Sequence, residues 1–219
     1  MKQLENLWKE VDSCKDCKST RNKLQHILGG GKENSPSLMF IFINPTHRNI
    51  SSSEEYNGPR FPFIGTHEVW DILAKSNILS EEVTKRIRNN WNKDSIDFLL
   101  NSLIERKIYL TNVVKCTKPN AENPNSELTK KKLPLLFKEI EIVNPKLIVT
   151  FGQIPFKALT GKSIKLSEHN KRQKESKNLI LYDSKEINGK IYKVFPCYFP
   201  VGRGNRKGAI ELLSILKSG

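Results

Sequence analysis

The alternation of apolar and polar stretches along the chain predicts its elements. Leu38-Met39-Phe40-Ile41-Phe42-Ile43 is an unbroken apolar run with the length of a fully buried strand. Runs of the same kind follow at Ile108-Tyr109-Leu110-Thr111-Asn112-Val113-Val114 and Lys146-Leu147-Ile148-Val149-Thr150-Phe151, and weaker strand patterns occupy 178–183 and 190–199. Between them the apolar positions take helical spacing. Residues 2–11 read as a helix, and a second runs from about Thr66 to Ala74 on Val69, Trp70, Ile72 and Leu73. Two charge-rich helical patterns share 80–106. Asn125-Ser126 can cap a helix reaching about Val143 and stopped before Pro145. Gly152 precedes a short helix ending near Gly161, and a last helix spans about 206–217. Residues 162–177, with six Lys or Arg against two Glu, read as a mobile, solvated loop. Strands alternating with helices imply a three-layer α/β/α fold around a mainly parallel sheet of four to five strands. No repeat or clean boundary divides the chain, so residues 1–219 are expected as a single domain.

In such a sheet, ligands bind outside the carboxyl ends of the strands. Three loops should gather there, after Ile43, Val114 and Phe199. The first opens with Asn44-Pro45-Thr46-His47, a pairing that also suits an ordinary turn. The second is entered past Asn112, whose amide needs partners inside a sheet and offers both donor and acceptor to a base edge. The third, Phe199-Pro200-Val201-Gly202-Arg203-Gly204-Asn205-Arg206-Lys207, is flexible and cationic and precedes a helix amino terminus, where backbone N–H groups welcome phosphate. A plain surface loop would carry the same residues.

Composition adds a bias. Lys and Arg number 37 against 23 Asp and Glu, a net charge of +14, which favours a polyanionic partner unless the surface is simply lysine-rich. No apolar run approaches the ~20 residues of a membrane span, and the first residues lack a signal peptide's apolar region. A cytoplasmic protein with no membrane contact is expected. Its four cysteines then read as metal ligands, catalytic groups or core residues in preference to disulfides.

Taken in order, these segments resemble the uracil-DNA glycosylase superfamily, in particular its iron–sulfur branch (family 4). Cys14-x-x-Cys17, Arg21 and Gly29-Gly30-Gly31 look like that branch's amino-terminal ligand pair and linker. Phe42-Ile43-Asn44-Pro45-Thr46 falls where the family has its first catalytic motif. Arg60-Phe61-Pro62-Phe63-Ile64-Gly65 is similar to a segment whose Phe stacks on the extruded base. Thr111-Asn112-Val113-Val114-Lys115-Cys116 nearly matches the signature whose Asn reads the base edge, and Asn144-Pro145 through Gly152 matches a characteristic strand. The third motif falls on Phe199-Pro200-Val201 through Arg206.

The resemblance implies a monofunctional glycosylase that flips a uracil or other non-standard base out of duplex or single-stranded DNA and hydrolyses its N-glycosidic bond. On that reading Asn44 positions water, Phe63 stacks, Asn112 reads the base, and Arg203, Asn205, Arg206 and Lys207 face DNA; a monomer is expected. His47 and His67 lie near the pocket by motif position, as proton-bearing groups or as polar loop residues. Departures matter too. Asn44 stands where the iron–sulfur branch has Ala, as in the thymine-mismatch and single-strand-selective branches. Phe199 replaces a His that stabilises the departing base, a loss of roughly 2.7–4 kcal/mol in the transition state. That change also fits a glycosylase for a modified or foreign base acting in defence, or a catalytically silent DNA-binding relative. Of the four cluster ligands, Cys14, Cys17 and Cys116 are in place, the fourth position is Lys132, and Cys197 is the other candidate. Either a [4Fe–4S] cluster or no cofactor follows.

Overall fold

The computed structural model describes residues 2–16, 24–120, 122–176, 180–202 and 204–216. Cys17, Arg21 and Arg203 lie outside the described residues. Among those described, β1 (Gly30–Gly31), β2 (Leu38–Phe42), β3 (Ile108–Asn112), β4 (Leu147–Phe151), β5 (Asp183–Ile187) and β6 (Lys190–Cys197) form one sheet in the order β1-β3-β2-β4-β6-β5. The four inner strands are parallel, and the two edges are antiparallel. All four inner strands therefore end at one edge, at Phe42, Asn112, Phe151 and Cys197.

The helices are α1 (Lys2–Asp12), α2 (Glu68–Lys75), α3 (Glu81–Asn89), α4 (Lys93–Glu105), α5 (Ser126–Val143), α6 (Gln153–Thr160), α7 (Leu166–Glu175) and α8 (Arg206–Ile215). Period-two alternation within the strands sorts them into layers. Phe40 and Phe42 join a core with α2, α3, α4 and α8, whereas Met39 and Ile41 join a second core with α1, α5 and α6. The expected three-layer α/β/α architecture is the observed one. Before Pro145, α5 stops with Asn144 in the left-handed conformation (φ 54°) and its N–H on the Ile140 carbonyl.

Two expectations give way. Of the strand expected at 178–183, residues 178 and 179 lie outside the described residues, and the observed strand is Asp183–Ile187, because Asn188-Gly189, both with positive φ, closes a two-residue hairpin that pairs Ile187 with Lys190. The loop expected at 162–177 contains α7, whose inward positions are Leu166, His169 and Gln173. The His169 ring meets Phe195 edge-on at 5.3 Å, and Gln173 Oε1 accepts the Leu181 N–H at 2.8 Å. No helix is long and apolar enough to cross a membrane among the described residues.

Candidate active site

At the carboxyl edge of the sheet, the loops after β2 and β6 and the segment before α2 enclose a cavity of about 230 Å³. Asn44, Phe63, Asn112 and Phe199 all line it. Strand register explains the meeting, since Phe42 is the parallel partner of Asn112.

Asn112 is 1 % exposed, and its carboxamide nitrogen is buried with no hydrogen-bond partner. An unmade buried hydrogen bond costs about 1–3 kcal/mol, so this donor is set for something that enters the cavity. Its backbone is held from behind. Buried Lys115 donates to the Asn112 carbonyl at 2.7 Å, to Thr111 Oγ1, and to the carboxylate of Glu139, which is 0 % exposed. Tyr109 donates its hydroxyl to the same carboxylate at 2.9 Å. Burial pushes the Lys115 ammonium's pKa down, and Glu139 pulls it back up. Burial and Glu139 both hold the Tyr109 hydroxyl well above its usual range.

Phe63 has φ of 70°, a left-handed backbone that costs energy in a non-glycine residue. Three donors converge on its carbonyl and hold it there: Trp70 Nε1 at 3.1 Å, Thr66 Oγ1 at 3.0 Å and Thr66 N–H at 3.2 Å. The ring that results stands edge-on to Phe42 at 4.6 Å, and Phe42 stacks on Phe151 at 4.5 Å. Asn44 donates its side-chain nitrogen to the carbonyls of Pro45 (3.0 Å) and Glu122 (3.3 Å). Its Oδ1 is thereby left as the atom able to accept a hydrogen bond from water.

Phe199 and Val201 make an apolar wall, and the turn behind them is tight. A Cβ on Gly204 would lie 1.8 Å from the Phe199 carbonyl oxygen. Asn205 is an N-cap, its Oδ1 accepting the Gly208 N–H at 2.9 Å, while Arg206 and Lys207 are exposed on the first turn of α8. His47 is exposed and outside the cavity lining, and His67 packs its ring 5.7 Å from Trp91. Arg48 and Glu68 do line the cavity. Neither drew notice in the sequence, where a single charged residue beside a motif carries no periodic signal.

The cysteines separate. Cys197 is buried in the core of α2 and α8, near the Ala209 carbonyl, and burial pushes its thiol well up. Cys14 and Cys116 lie on the opposite face of the sheet. With them is His26, which sequence reading passed over although it follows a Cys-x-x-Cys pair. One ligand atom from each of the three lies within 4.8 Å of the others. Cys116 is disulfide-bonded, against the expectation of reduced thiols. Lys132 donates to Cys14 Sγ at 2.7 Å and to Asp16 at 2.9 Å. Arg60 forks onto Asp12 at 2.9 and 2.6 Å, tying the segment of Phe63 to α1. Partial burial raises the Asp12 carboxyl, but the nearby His26 ring and the Arg60 guanidinium outweigh it and bring it down to about 2.

Comparison with known proteins follows the same geometry. The chain is 26% identical over 200 residues to the Type-4 uracil-DNA glycosylase of Sulfurisphaera tokodaii, covering 91% of this chain and 75% of that one. With the enzyme of the same name from Archaeoglobus fulgidus it shares 26% identity over 153 residues, 70% of this chain and 61% of the relative. A third, from Pyrobaculum aerophilum, is 44% identical over 52 residues, a quarter of either chain. The model of the uracil DNA glycosylase superfamily matches residues 28–214. That stretch holds the whole sheet and every loop that lines the cavity, and the chain belongs to the uracil DNA glycosylase superfamily.

Proposed function

We propose that this protein is a monofunctional DNA glycosylase that excises uracil and leaves an abasic site. The observation that carries the reading is the unpartnered, buried nitrogen of Asn112 facing an otherwise largely apolar cavity. Uracil offers that N–H a carbonyl oxygen. Cytosine offers an amino group at the same place, donor against donor, so the carboxamide selects between them.

A base in a duplex cannot reach this cavity until its nucleotide rotates out, at a cost of a few kcal/mol. Phe63, fixed by its carbonyl donors, supplies a face for the extruded ring. Asn44 Oδ1 orients water toward the sugar C1′ as the glycosidic bond breaks. An amide cannot take the water's proton, so bond breaking runs ahead of attack and the leaving base carries the negative charge. Phe199 gives that charge no hydrogen bond, so a slow chemical step is expected. No lysine lines the cavity among the described residues, which supports hydrolysis by water over a covalent amine intermediate.

Phe63→Ala should remove roughly 1–3 kcal/mol of stacking and slow release of every base the enzyme accepts. Asn112→Ala should act unevenly, costing most on bases that present a carbonyl to it. Oligonucleotides carrying uracil, which presents a carbonyl, or a modified cytosine, which presents an amino group, cleaved at abasic sites after single-turnover incubation, measure both. An Asn112→Ala loss equal on the two bases would break the assigned roles.

Arg206 and Lys207, with Arg203, form the proposed phosphate grip. Replacing Arg206 and Lys207 by Ala should weaken binding to damaged and undamaged duplex alike, since phosphate contacts carry no sequence information. The slope of log affinity against log salt should flatten by about 0.9 for each duplex phosphate no longer neutralised. An unchanged slope would move the grip elsewhere.

The described residues do not fit a [4Fe–4S] cluster. Lys132 occupies the fourth position, Cys197 lies across the sheet, and the space among Cys14, His26, Cys116 and Lys132 is about 10 Å³. No step of the reaction is routed through a metal.

A further inference from the structure

We propose, resting on the glycosylase reading, that Arg48 supplies the positive charge that stabilises the departing base, in place of the hydrogen bond that Phe199 does not give. Most side-chain donors that line the cavity are already committed. Asn44 donates to the Pro45 and Glu122 carbonyls, Asn49 to the Phe61 carbonyl at 2.8 Å, and Thr66 to the Phe63 carbonyl at 3.0 Å. The Thr46 hydroxyl, the Asn112 carboxamide and the Arg48 guanidinium remain, and of these only Arg48 is charged. It is the sole cationic side chain lining the cavity among the described residues. No hydrogen bond or ion pair to a described residue ties it down, although Glu68 lines the same cavity.

The turn that carries Arg48 is anchored on both sides. After β2, Thr46 bridges to Lys118, and the His47 N–H donates to the Lys118 carbonyl at 3.0 Å. The Asn49 N–H closes back on the Thr46 carbonyl at 3.0 Å, and Asn49 is only 4 % exposed. Its Oδ1 accepts the Ser51 N–H at 3.0 Å and the Ser51 hydroxyl at 2.7 Å. Arg48 therefore sits between two fixed neighbours, on the loop that also carries Asn44. His47 and Arg48 are both exposed, but only Arg48 lines the cavity. Exposed and lining at once, it stands at the mouth, where an extruded nucleotide must pass.

A charge there matters because of how the bond breaks. The C1′–N1 bond cleaves with its electron pair going to the base, which leaves an anion spread onto the ring carbonyl oxygens and an oxocarbenium-like sugar. Water held by Asn44 adds its oxygen to C1′ and gives a proton to solvent, and solvent returns one to the base. Phe42, Phe63, Val69, Phe199 and Val201 make an apolar wall. Once DNA excludes water from such a site, a charge acts more strongly than in bulk solvent. A guanidinium at the mouth favours the anion over the neutral base, so its effect falls on the transition state. Arg48 thus makes up part of what Phe199 lacks.

The test compares single-turnover release of uracil and of 5-fluorouracil from otherwise identical oligonucleotides by the full chain. Fluorine withdraws electrons and stabilises the N1 anion by itself, so 5-fluorouracil depends less on help from the protein. Arg48→Ala is expected to lose on the order of 10²-fold on uracil, the low end for removing one donor to a developing anion, and distinctly less on 5-fluorouracil. Arg48→Lys keeps the charge and should lose less than Ala on uracil. Affinity for undamaged duplex, and its salt slope, should stay as in wild type. Circular dichroism confirms that both variants are folded, as expected of changes at an exposed, unpaired side chain. Equal losses on the two bases, or a salt slope flattened by about 0.9, would make Arg48 a phosphate contact and overturn the proposal. Undiminished uracil release by Arg48→Ala would overturn it too. In each of those cases wild type still releases uracil and the glycosylase reading stands, whereas a wild type that releases neither base ends both.

Discussion

Asn44→Ala is expected to slow single-turnover base release by roughly 10²-fold or more, the scale of losing a well-placed reactant, with the affinity for uracil-containing DNA nearly unchanged. The expectation rests on which atoms of Asn44 are free. Its nitrogen is committed to the Pro45 and Glu122 carbonyls, which fixes the side chain and points the oxygen away from them. An acceptor held in this way helps only while water approaches C1′, so its loss belongs to the transition state and not to binding. Asn44→Asp keeps an acceptor oxygen and should retain more activity than Ala. If Asn44→Ala released base at the wild-type rate, or lost rate and affinity by the same factor, the water-positioning role would fail.

Glu139→Ala should produce the largest loss of stability. Lys115 and Glu139 are both buried, and removing the carboxylate leaves a buried ammonium without its counter-charge, a change that costs about 3–5 kcal/mol. At about 2–4 °C per kcal/mol for a chain of this size, the melting temperature should fall on the order of 10 °C. Tyr109 loses its acceptor at the same time. Thermal denaturation of wild type, Glu139→Ala and Glu139→Gln makes the comparison, the Gln variant keeping a hydrogen-bond acceptor and losing less. A Glu139→Ala protein melting within a degree of wild type would mean that Lys115 is neutral or finds another partner. Because Lys115 also holds the Asn112 carbonyl, the Gln variant should release base more slowly at temperatures where it remains folded.

What was legible in the sequence follows physical lines. Strands buried on both faces announce themselves as apolar runs, and the first three were readable because β2, β3 and β4 are inner strands. β5 is an edge strand reading Asp183-Ser184-Lys185-Glu186-Ile187, too polar for that signal, although Asn188-Gly189 marked its turn. α7 escaped because two of its three buried positions are His169 and Gln173, polar residues that leave no apolar stripe to read. The cavity residues Asn44, Phe63, Asn112 and Phe199 came from motif order and meet as that order implied. Asn205 also caps α8, a role that the composition of a basic loop does not announce. His26 shows the limit of counting cysteines. Its distance from Cys116 in sequence hides a proximity that the Ile27 N–H, donating to the Lys115 carbonyl at 3.0 Å, sets up in the fold.

The most direct measurement is the release of free uracil, detected by mass spectrometry, from single-stranded and duplex oligonucleotides with one uracil, under single-turnover conditions. The expected result is stoichiometric free uracil from wild type, strand breakage at that position only after alkali, and a release reduced roughly 10²-fold or more in Asn44→Ala. Tight DNA binding with no uracil released would contradict the assignment.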